Sequence, residues 1–357
     1  MSKLLAAAVA GVLILAPVAP ALAAASSPRS ALDLLVEEDG MAGALSQVRA
    51  VDGTSVTLRA GTARRGTGRP MAGPEGRFRI ASMSKPIIAV TVLRLAEQRK
   101  LDLAAPVERY LPGVLRGTGD GAAIDGRRIT VRMLLQQTSG LPEFLDAIEW
   151  KEPFPNFLRV ALSREPTARG SFAYANTNYL VLGMVVTEVT GKDFRRASRE
   201  LVLEPYGMRD TYWPVKGDYG IRGPHAHTYG VHPARPQDGE VDLTDRLPTY
   251  AFGPSGGLVS SPRDLNRFWS RAPLGALTAE TVPVEEEGWP AGARYGYGVA
   301  RMESGCGQVY FGAGDMPGAA VFSGRNRAGR AATVYVTGVP RNRQHLIGAF
   351  IAAMCGR

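Results

Sequence analysis

A serine and a lysine three positions apart mark the point where a strand-like segment gives way to a helix-like one. Ser82 and Lys85 form the only Ser-x-x-Lys pair in the chain, between strand-like residues 78–81 and apolar, helix-like residues 86–93. On a helix this spacing puts two side chains on one face, so the amine can reach the hydroxyl. The pair therefore favours a fold in which a helix begins inside a cleft.

The same pair indicates nucleophilic chemistry. A serine hydroxyl is a weak nucleophile until a neighbouring base takes its proton, and a lysine in a dry cleft can have its pKa lowered enough to be that base. The alternative is a helix N-cap serine followed by a surface lysine, and about one such spacing arises by chance in a chain of this length. Ser82 and Lys85 are therefore candidates whose support must come from the rest of the chain.

A second candidate motif is Tyr174-Ala175-Asn176, in a loop that enters an apolar, helix-like run over residues 180–189. A phenol can pass protons to a leaving group or to water, and an amide can hold a substrate carbonyl or position a lysine. The alternative is an ordinary helix start with a buried aromatic side chain.

Further segments accompany these two motifs in a fixed order. They are residues 101–107, 110–112, 129–135, 138–141, 204–208, 255–261 and 315–318. Together with the two motifs, they resemble the class C-like branch of the serine β-lactamase and D-alanyl-D-alanine carboxypeptidase superfamily, from about residue 40 to the end. The placement of Cys306 and of residues 350–357 is most similar to the soluble Streptomyces D-alanyl-D-alanine carboxypeptidases.

The resemblance implies an α/β (α+β) fold, in which an antiparallel five-stranded sheet flanked by helices packs against an all-helical lobe. The active site would lie between the lobes. There Ser82 would attack a carbonyl, Lys85 would accept its proton, Tyr174 would relay protons and Asn176 would orient the substrate. The backbone N–H groups of Ser82 and Asp315 would stabilise the oxyanion. The assignment of the general base in such enzymes is disputed.

The chain departs from the family pattern at its third motif, which is Lys or His, then any residue, then Gly. Residues 311–314 read Phe-Gly-Ala-Gly, so Gly312 occupies the cation or imidazole position. The absence of a Lys or His side chain there should weaken both the proton relay and the attraction of a substrate carboxylate. A smaller departure is Gln136-Gln137, where the family commonly has a histidine before Thr-Ser-Gly, at a structural position.

The implied substrate is a peptidoglycan stem peptide ending in D-alanyl-D-alanine, or a β-lactam. The alternatives are an esterase of the same fold, or a penicillin-binding sensor protein that acylates slowly because of Gly312. A metal enzyme is an alternative of another class, since His225, His227 and His232 lie close in sequence and could share an ion. Because no Asp or Cys completes that cluster locally and Pro224 and Gly230 indicate a loop, no metal or cofactor is expected.

The N-terminus has the pattern of a secretory signal peptide. Lys3 precedes an apolar run over residues 4–18, and residues 21–23 offer a small-x-small cleavage site. A membrane anchor is the alternative, but the run is short and broken by prolines. We therefore expect residues 1–25 to be removed, leaving one hydrolase domain over residues 26–357 that is secreted to the cell-wall space or medium, or to the periplasm of a Gram-negative cell.

An oxidising compartment favours a disulfide between the two cysteines, Cys306 and Cys355, over two unrelated buried thiols. Loop-closure entropy sets its contribution at about 4 kcal/mol at most. The formal charge of +9 includes an arginine-rich turn over residues 324–330, which we interpret as a solvated hairpin tip. No aromatic residues interleave with these arginines, so no nucleic-acid partner is expected. We expect a monomer with no membrane anchor after processing.

Overall fold

A large antiparallel sheet organises the molecule, which is described here over residues 27–356 of a computed structural model. Its strands, with four shorter ones outside the sheet, are β1 (Gly43–Arg49), β2 (Ser55–Gly61), β3 (Phe78–Arg79), β4 (Tyr229–Val231), β5 (Glu240–Asp242), β6 (Val259–Ser260), β7 (Val282–Pro283), β8 (Arg294–Tyr295), β9 (Ala300–Ser304), β10 (Gly307–Met316), β11 (Ala319–Asn326) and β12 (Ala331–Val336). The large sheet has the order β2-β1-β12-β11-β10-β9-β8-β7.

The sheet therefore has eight strands where the resemblance predicted five, and that prediction was wrong in the number. The difference includes β7 and β8, which extend the edge beyond β9 with two residues each. Strands this short cannot show the two-residue alternation by which a strand is found in sequence. The antiparallel arrangement itself is confirmed.

Ten α-helices surround the sheet and build the second lobe within the described part of the chain. They are α1 (Pro28–Glu37), α2 (Ser84–Glu97), α3 (Val131–Leu135), α4 (Phe157–Leu162), α5 (Asn176–Thr190), α6 (Phe194–Ser198), α7 (Gly253–Gly256), α8 (Pro262–Arg271), α9 (Leu274–Leu277) and α10 (Arg343–Cys355). Two small sheets, β3 with β6 and β4 with β5, also lie outside the large sheet, so the rest of the fold is mainly but not wholly helical.

Both faces of the sheet are buried. On β11, Ala320 and Phe322 pack with Phe350 of α10, whereas Val321 between them packs into the core on the opposite face. This alternation follows from the two-residue period of a strand. On the second face, Trp269 of α8 donates its indole N–H to Ser323 Oγ at 2.9 Å. Because both faces carry apolar side chains, β11 and β12 appear in sequence as nearly continuous apolar runs.

Helix α2 is buried almost all round, from Ser84 to Leu93. A helix that is apolar on every face belongs in the interior rather than on the surface. Neighbouring α5 ends at Gly191, whose φ of 64° is the left-handed cap that glycine adopts without strain. These two helices carry the two sequence motifs at their N-terminal ends, and their contact brings those ends together.

The two cysteines meet at one edge of the sheet. Cys306 lies in the turn between β9 and β10, and Cys355 is the last residue of α10, with a Cα–Cα distance of 5.4 Å, which suits a disulfide. No helix within residues 27–356 is both long and apolar enough to cross a membrane. The predicted signal peptide, residues 1–25, lies outside the described residues.

Candidate active site

Ser82 lies at a sharp turn between β3 and α2. The turn begins at Ala81, whose φ of 47° lies in the left-handed region that non-glycine residues seldom adopt. Ser84 stabilises it by donating its hydroxyl to the Ala81 carbonyl at 2.7 Å, and the same hydroxyl accepts the Leu258 N–H at 3.2 Å. The turn leaves Ser82 half-buried on the wall of a cavity.

Lys85 is 1% exposed, and its ammonium nitrogen makes three polar contacts. Nζ lies 2.7 Å from Asn176 Oδ1, 2.7 Å from the Ser255 carbonyl oxygen and 2.9 Å from Ser82 Oγ. The carbonyl oxygens of Asn176 and Ser255 each accept one N–H of Lys85. The third substituent position of Nζ faces Ser82, with an N–H when the lysine is charged and a lone pair when it is neutral. Burial lowers the pKa of Lys85 to about 7, against a smaller opposing effect of the Glu143 charge.

Asn176 is held in place by Glu143. Glu143 Oε2 accepts the Asn176 backbone N–H at 2.7 Å and its side-chain N–H at 3.0 Å. The amide nitrogen therefore points at the carboxylate, which leaves Oδ1 pointing at Lys85. The other carboxylate oxygen accepts the backbone N–H groups of Phe144 and Leu145 at 2.8 and 2.9 Å, so Glu143 is itself fixed.

Gln137 supports the loop that carries Tyr174. Its carbonyl oxygen accepts the Ala173 N–H at 2.9 Å, and its side-chain oxygen accepts the Ala175 N–H at 3.1 Å. The same side-chain oxygen accepts the amide N–H of Asn178. These bonds hold the residues on both sides of Tyr174, which is a structural task for the position where the resemblance led us to expect histidine.

The Tyr174 ring lies beside the lysine, with its centroid 4.8 Å from Lys85 Nζ. Its backbone N–H donates to Glu286 Oε1 at 2.8 Å, and its ring packs against Trp289 at a centroid distance of 6.0 Å. Burial raises the pKa of Tyr174 well above its ordinary value, while a hydrogen bond with Ser82 opposes this shift. Tyr174 is therefore a phenol, able to donate a proton, throughout the pH range in which proteins work.

Strand β10 runs against the Ser82 turn because two of its residues have no side chain. A Cβ at Gly314 would lie 3.0 Å from the Ser82 nitrogen and far inside contact distance of the Ile80 carbonyl oxygen. A Cβ at Gly312 would lie 2.6 Å from Met83 Sδ. Gly314 thus permits the approach of strand and turn, whereas a Cβ at Gly312 would require the Met83 side chain to shift.

Asp315 follows Gly314 on β10, and its carboxylate forms an ion pair with Arg343, the first residue of α10. Burial raises the pKa of Asp315, and the Arg343 charge opposes this shift. The side chain is therefore engaged with the protein. The oxyanion role predicted for the backbone N–H groups of Asp315 and Ser82 stays a prediction.

These residues enclose a cavity of about 320 Å³. It is lined by Ser82, Lys85, Pro86, Leu145, Tyr174, Asn176, Glu286, Glu287, Gly288, Trp289, Pro290, Tyr295, Gly298, Ala300, Phe311, Gly312, Ala313, Gly314, Asp315, Phe322 and Arg343. A larger and more open cavity of about 1070 Å³ lies along α5 past Gly183 and Met184, and none of the motif residues lines it. The smaller cavity is therefore the candidate active site.

A protein family model described as Beta-lactamase matches residues 30–353. The chain belongs to the beta-lactamase family. The superfamily assignment made from the sequence motifs is thereby confirmed.

Three proteins show what this chain is similar to. Esterase EstB of Burkholderia gladioli is 34% identical over 202 residues, which span 52% of this chain and 50% of the esterase. The D-stereospecific amidohydrolase of a Streptomyces species superposes with a TM-score of 0.76 at 28% identity, covering 92% of this chain and 98% of that one. The D-amino acid amidase of Ochrobactrum anthropi SV3 has the same fold, with a TM-score of 0.75 at 23% identity over 91% and 97% of the two chains.

His225 and His227, two of the three histidines considered as metal ligands, do not line the candidate active site. The ring centroids of His225 and His227 are 6.3 Å apart, and His227 Nδ1 lies 2.7 Å from a carboxylate oxygen of Asp242. Within residues 27–356, no group of three or more His, Cys, Asp or Glu side chains is arranged to hold a metal ion.

The two motifs of this beta-lactamase family member contain Ser82, Lys85, Tyr174 and Asn176, which the structure brings together. They do not contain the residues that hold or enclose these four. Glu143, Glu286 and Arg343 belong to no recognised motif, and each acts on a partner distant in sequence. A signal was available only for Glu143, which follows the Thr-Ser-Gly-Leu segment at two residues' distance.

Proposed function

We propose that the protein is an exported serine hydrolase that forms an acyl-enzyme on Ser82 and cleaves amide or ester bonds. The observation that carries the proposal is the contact of a buried Lys85, with a pKa of about 7, with Ser82 Oγ at 2.9 Å. A neutral lysine there can accept the serine proton as the hydroxyl attacks a carbonyl.

The other residues fit the remaining steps. Tyr174, kept protonated by burial, can donate a proton to the leaving group and later exchange it with the attacking water. Asn176, with its amide fixed by Glu143, would orient both Lys85 and the substrate. Backbone N–H groups at Ser82 and Asp315 would receive the negative charge that develops on the carbonyl oxygen.

Amides and esters of D-configured residues are the proposed substrates. The support is the likeness to the D-stereospecific amidohydrolase over nearly the whole of both chains. The segment shared with the esterase spans half of that protein's length, so it supports ester cleavage only as a second activity of the same site. D-alanyl-D-alanine carboxypeptidase or β-lactamase activity is the alternative, and Gly312 counts against it because the third motif has no cation.

Export is proposed from the signal-peptide pattern of residues 1–25, with a Cys306–Cys355 disulfide in the mature protein. Cleavage between residues 23 and 26 in the secreted protein, read by N-terminal sequencing, would support it. Accumulation of the uncleaved chain inside cells would contradict it.

Covalent labelling tests the hydrolase proposal. A fluorophosphonate and a fluorescent penicillin should each label the purified protein, and Ser82→Ala should abolish labelling by both. A time course then separates no acylation, stable acylation and turnover. Undiminished labelling of Ser82→Ala would disprove the assignment of the nucleophile.

A further inference from the structure

Within residues 27–356, the charged side chains that line the candidate active site include no cation that is free of a protein partner. Those that line it are Lys85, Glu286, Glu287, Asp315 and Arg343. Both cations are engaged with protein partners. Lys85 Nζ contacts a hydroxyl and two carbonyl oxygens, and Arg343 forms an ion pair with Asp315. Among the residues that the structure describes, the cavity therefore offers no free cation to a substrate carboxylate.

Strand β10 adds no polar side chain that could take over this task. The β10 residues that line the cavity are Phe311, Gly312, Ala313 and Gly314, which carry neither a hydroxyl nor a charge, and Asp315, whose carboxylate is paired with Arg343. A substrate carboxylate in this cavity would lose water without gaining a free cation as a partner.

Two glutamate carboxylates line the same cavity. Glu286 and Glu287 belong to the segment 284–293 that joins β7 to β8, and both line the cavity. Glu286 is fixed because its Oε1 accepts the Tyr174 backbone N–H at 2.8 Å. Glu287 is exposed and has no hydrogen-bond or ion-pair partner among residues 27–356.

Aromatic packing keeps this segment on the cavity. The Trp289 ring packs edge-on against Phe172 at 5.7 Å and against Tyr295 at 5.8 Å, and it tilts against Tyr174 at 6.0 Å. The segment is thus held beside Tyr174, with Glu286 fixed in place and Glu287 exposed.

We propose that the cavity selects substrates that carry a cationic amine close to the scissile bond and rejects those that carry a carboxylate there, with Glu286 and Glu287 as the selecting residues. This inference rests on the proposed hydrolase function. Attraction comes from the two glutamates, and rejection comes from the same charges together with the lack of a free cation. A free α-amino group is mainly protonated at pH 7, so an unblocked amino acid amide meets the requirement.

Protection against a neutral fluorophosphonate measures this preference without requiring turnover. Three competitors share a D-alanine amide core and carry a positive, a neutral or a negative nitrogen substituent: the free amine, its N-acetyl derivative and its N-succinyl derivative, of which the last two are both acylated and differ mainly in charge. We expect the cationic amide to protect Ser82 at about ten-fold lower concentration than the neutral one, and the anionic one to protect least. The difference should shrink as ionic strength rises, because the glutamates are partly in solvent.

The double variant Glu286→Gln/Glu287→Gln should remove most of the ten-fold preference, and glutamine at 286 keeps an oxygen to accept the Tyr174 N–H. Glu285→Gln is the matched control, since Glu285 is exposed in the same segment but does not line the cavity, and it should keep the preference. A cationic amide that protects no better than the neutral one, or a preference that survives in the double variant, overturns the inference.

The failure of this inference is distinguishable from failure of the proposed function. If the fluorophosphonate labels Ser82 and the competitors show no order by charge, the selectivity is wrong and the hydrolase proposal stands. If neither the native protein nor any variant is labelled, the hydrolase proposal fails, and the charge preference fails with it.

Discussion

The carboxylate of Glu143 accepts two hydrogen bonds from Asn176, one from its backbone and one from its side chain. This pairing decides which end of the Asn176 amide faces Lys85. With the amide nitrogen on Glu143, the amide oxygen is available to receive an N–H of the lysine. The position of the proposed base is thus set by a carboxylate that does not touch it.

Glu143→Gln should slow labelling of Ser82 by about ten-fold. A glutamine side chain presents an N–H as well as an oxygen, so it cannot accept from all four groups that Glu143 now satisfies. A ten-fold loss corresponds to about 1.4 kcal/mol, the size of one hydrogen bond to a charged group. The pH at which labelling is half-maximal should also fall, because the Glu143 charge raises the pKa of Lys85.

The control for that variant is Glu165→Gln, an exposed glutamate outside the site. It should leave both the rate and the pH midpoint unchanged. A Glu143→Gln protein with the native rate and midpoint would show that Glu143 does not position Asn176.

Labelling should rise with pH and reach half its maximum near pH 7. Burial lowers the pKa of Lys85 to about 7, so below this pH the lysine holds a proton and cannot take one from Ser82. Above it the neutral amine can act as base. Tyr174 should not limit the rate on the alkaline side up to pH 9, because burial raises its pKa well above the ordinary value.

Lys85→Arg tests the same point, since a guanidinium stays protonated and cannot be the base. It should reduce labelling to background at every pH while the protein remains folded by circular dichroism. A rate that is flat between pH 6 and 8 in the native protein would contradict a titrating lysine.

Alanine at the two glycines of β10 should have unequal effects. At Gly314 the new Cβ meets the Ile80 carbonyl oxygen and the Ser82 nitrogen, which are backbone atoms, so strand and turn must separate. At Gly312 it meets the sulfur of Met83, which is the flexible end of a side chain. Gly314→Ala should therefore abolish labelling and lower the melting temperature by several degrees, whereas Gly312→Ala should retain at least a third of the native rate. Equal losses in both variants would contradict this account.

A histidine at position 312 would restore the side chain of the third motif, but it needs space that Met83 now occupies. Gly312→His alone should lower the melting temperature, because Met83 is fully buried where the histidine would begin. Met83→Ala alone leaves a void, but combining the two should recover part of the stability of each single variant, a non-additive result typical of residues in contact. If the histidine then supports the Tyr174 proton relay, labelling of the double variant should exceed that of Met83→Ala by about ten-fold, or about 1.4 kcal/mol. Additive melting temperatures would show that Met83 and position 312 do not share this space.

The exported protein should contain the Cys306–Cys355 disulfide, read as a mass two units lower before reduction than after it. Cys355→Ser should lower the free energy of unfolding by up to about 4 kcal/mol, the loop-closure value for this separation. A native protein that reacts with two equivalents of a thiol reagent without reduction would disprove the bridge.

The two sequence motifs predicted which residues meet in the candidate site because each combines local spacing with a buried helix start. Ser82 and Lys85 are neighbours on one turn, and the apolar helices α2 and α5 are buried as their composition indicates. What the sequence did not show depends on distant partners. Glu286 reaches Tyr174 from across 112 positions, and the two-residue strands that present it have no pattern of their own.

The first long strand of the described chain pairs with the last one. In the sheet, Ala44 of β1 lies opposite Val336 of β12, and α1 packs against α10 on the outer face. A chain that emerges from its N-terminal end cannot make these contacts until nearly all of it has been released. Until β12 is available, the hairpin formed by residues 43–61 has two unpaired edges that can pair with other chains. Closure of the sheet is therefore a non-local step, which slows folding relative to the pairing of neighbouring strands.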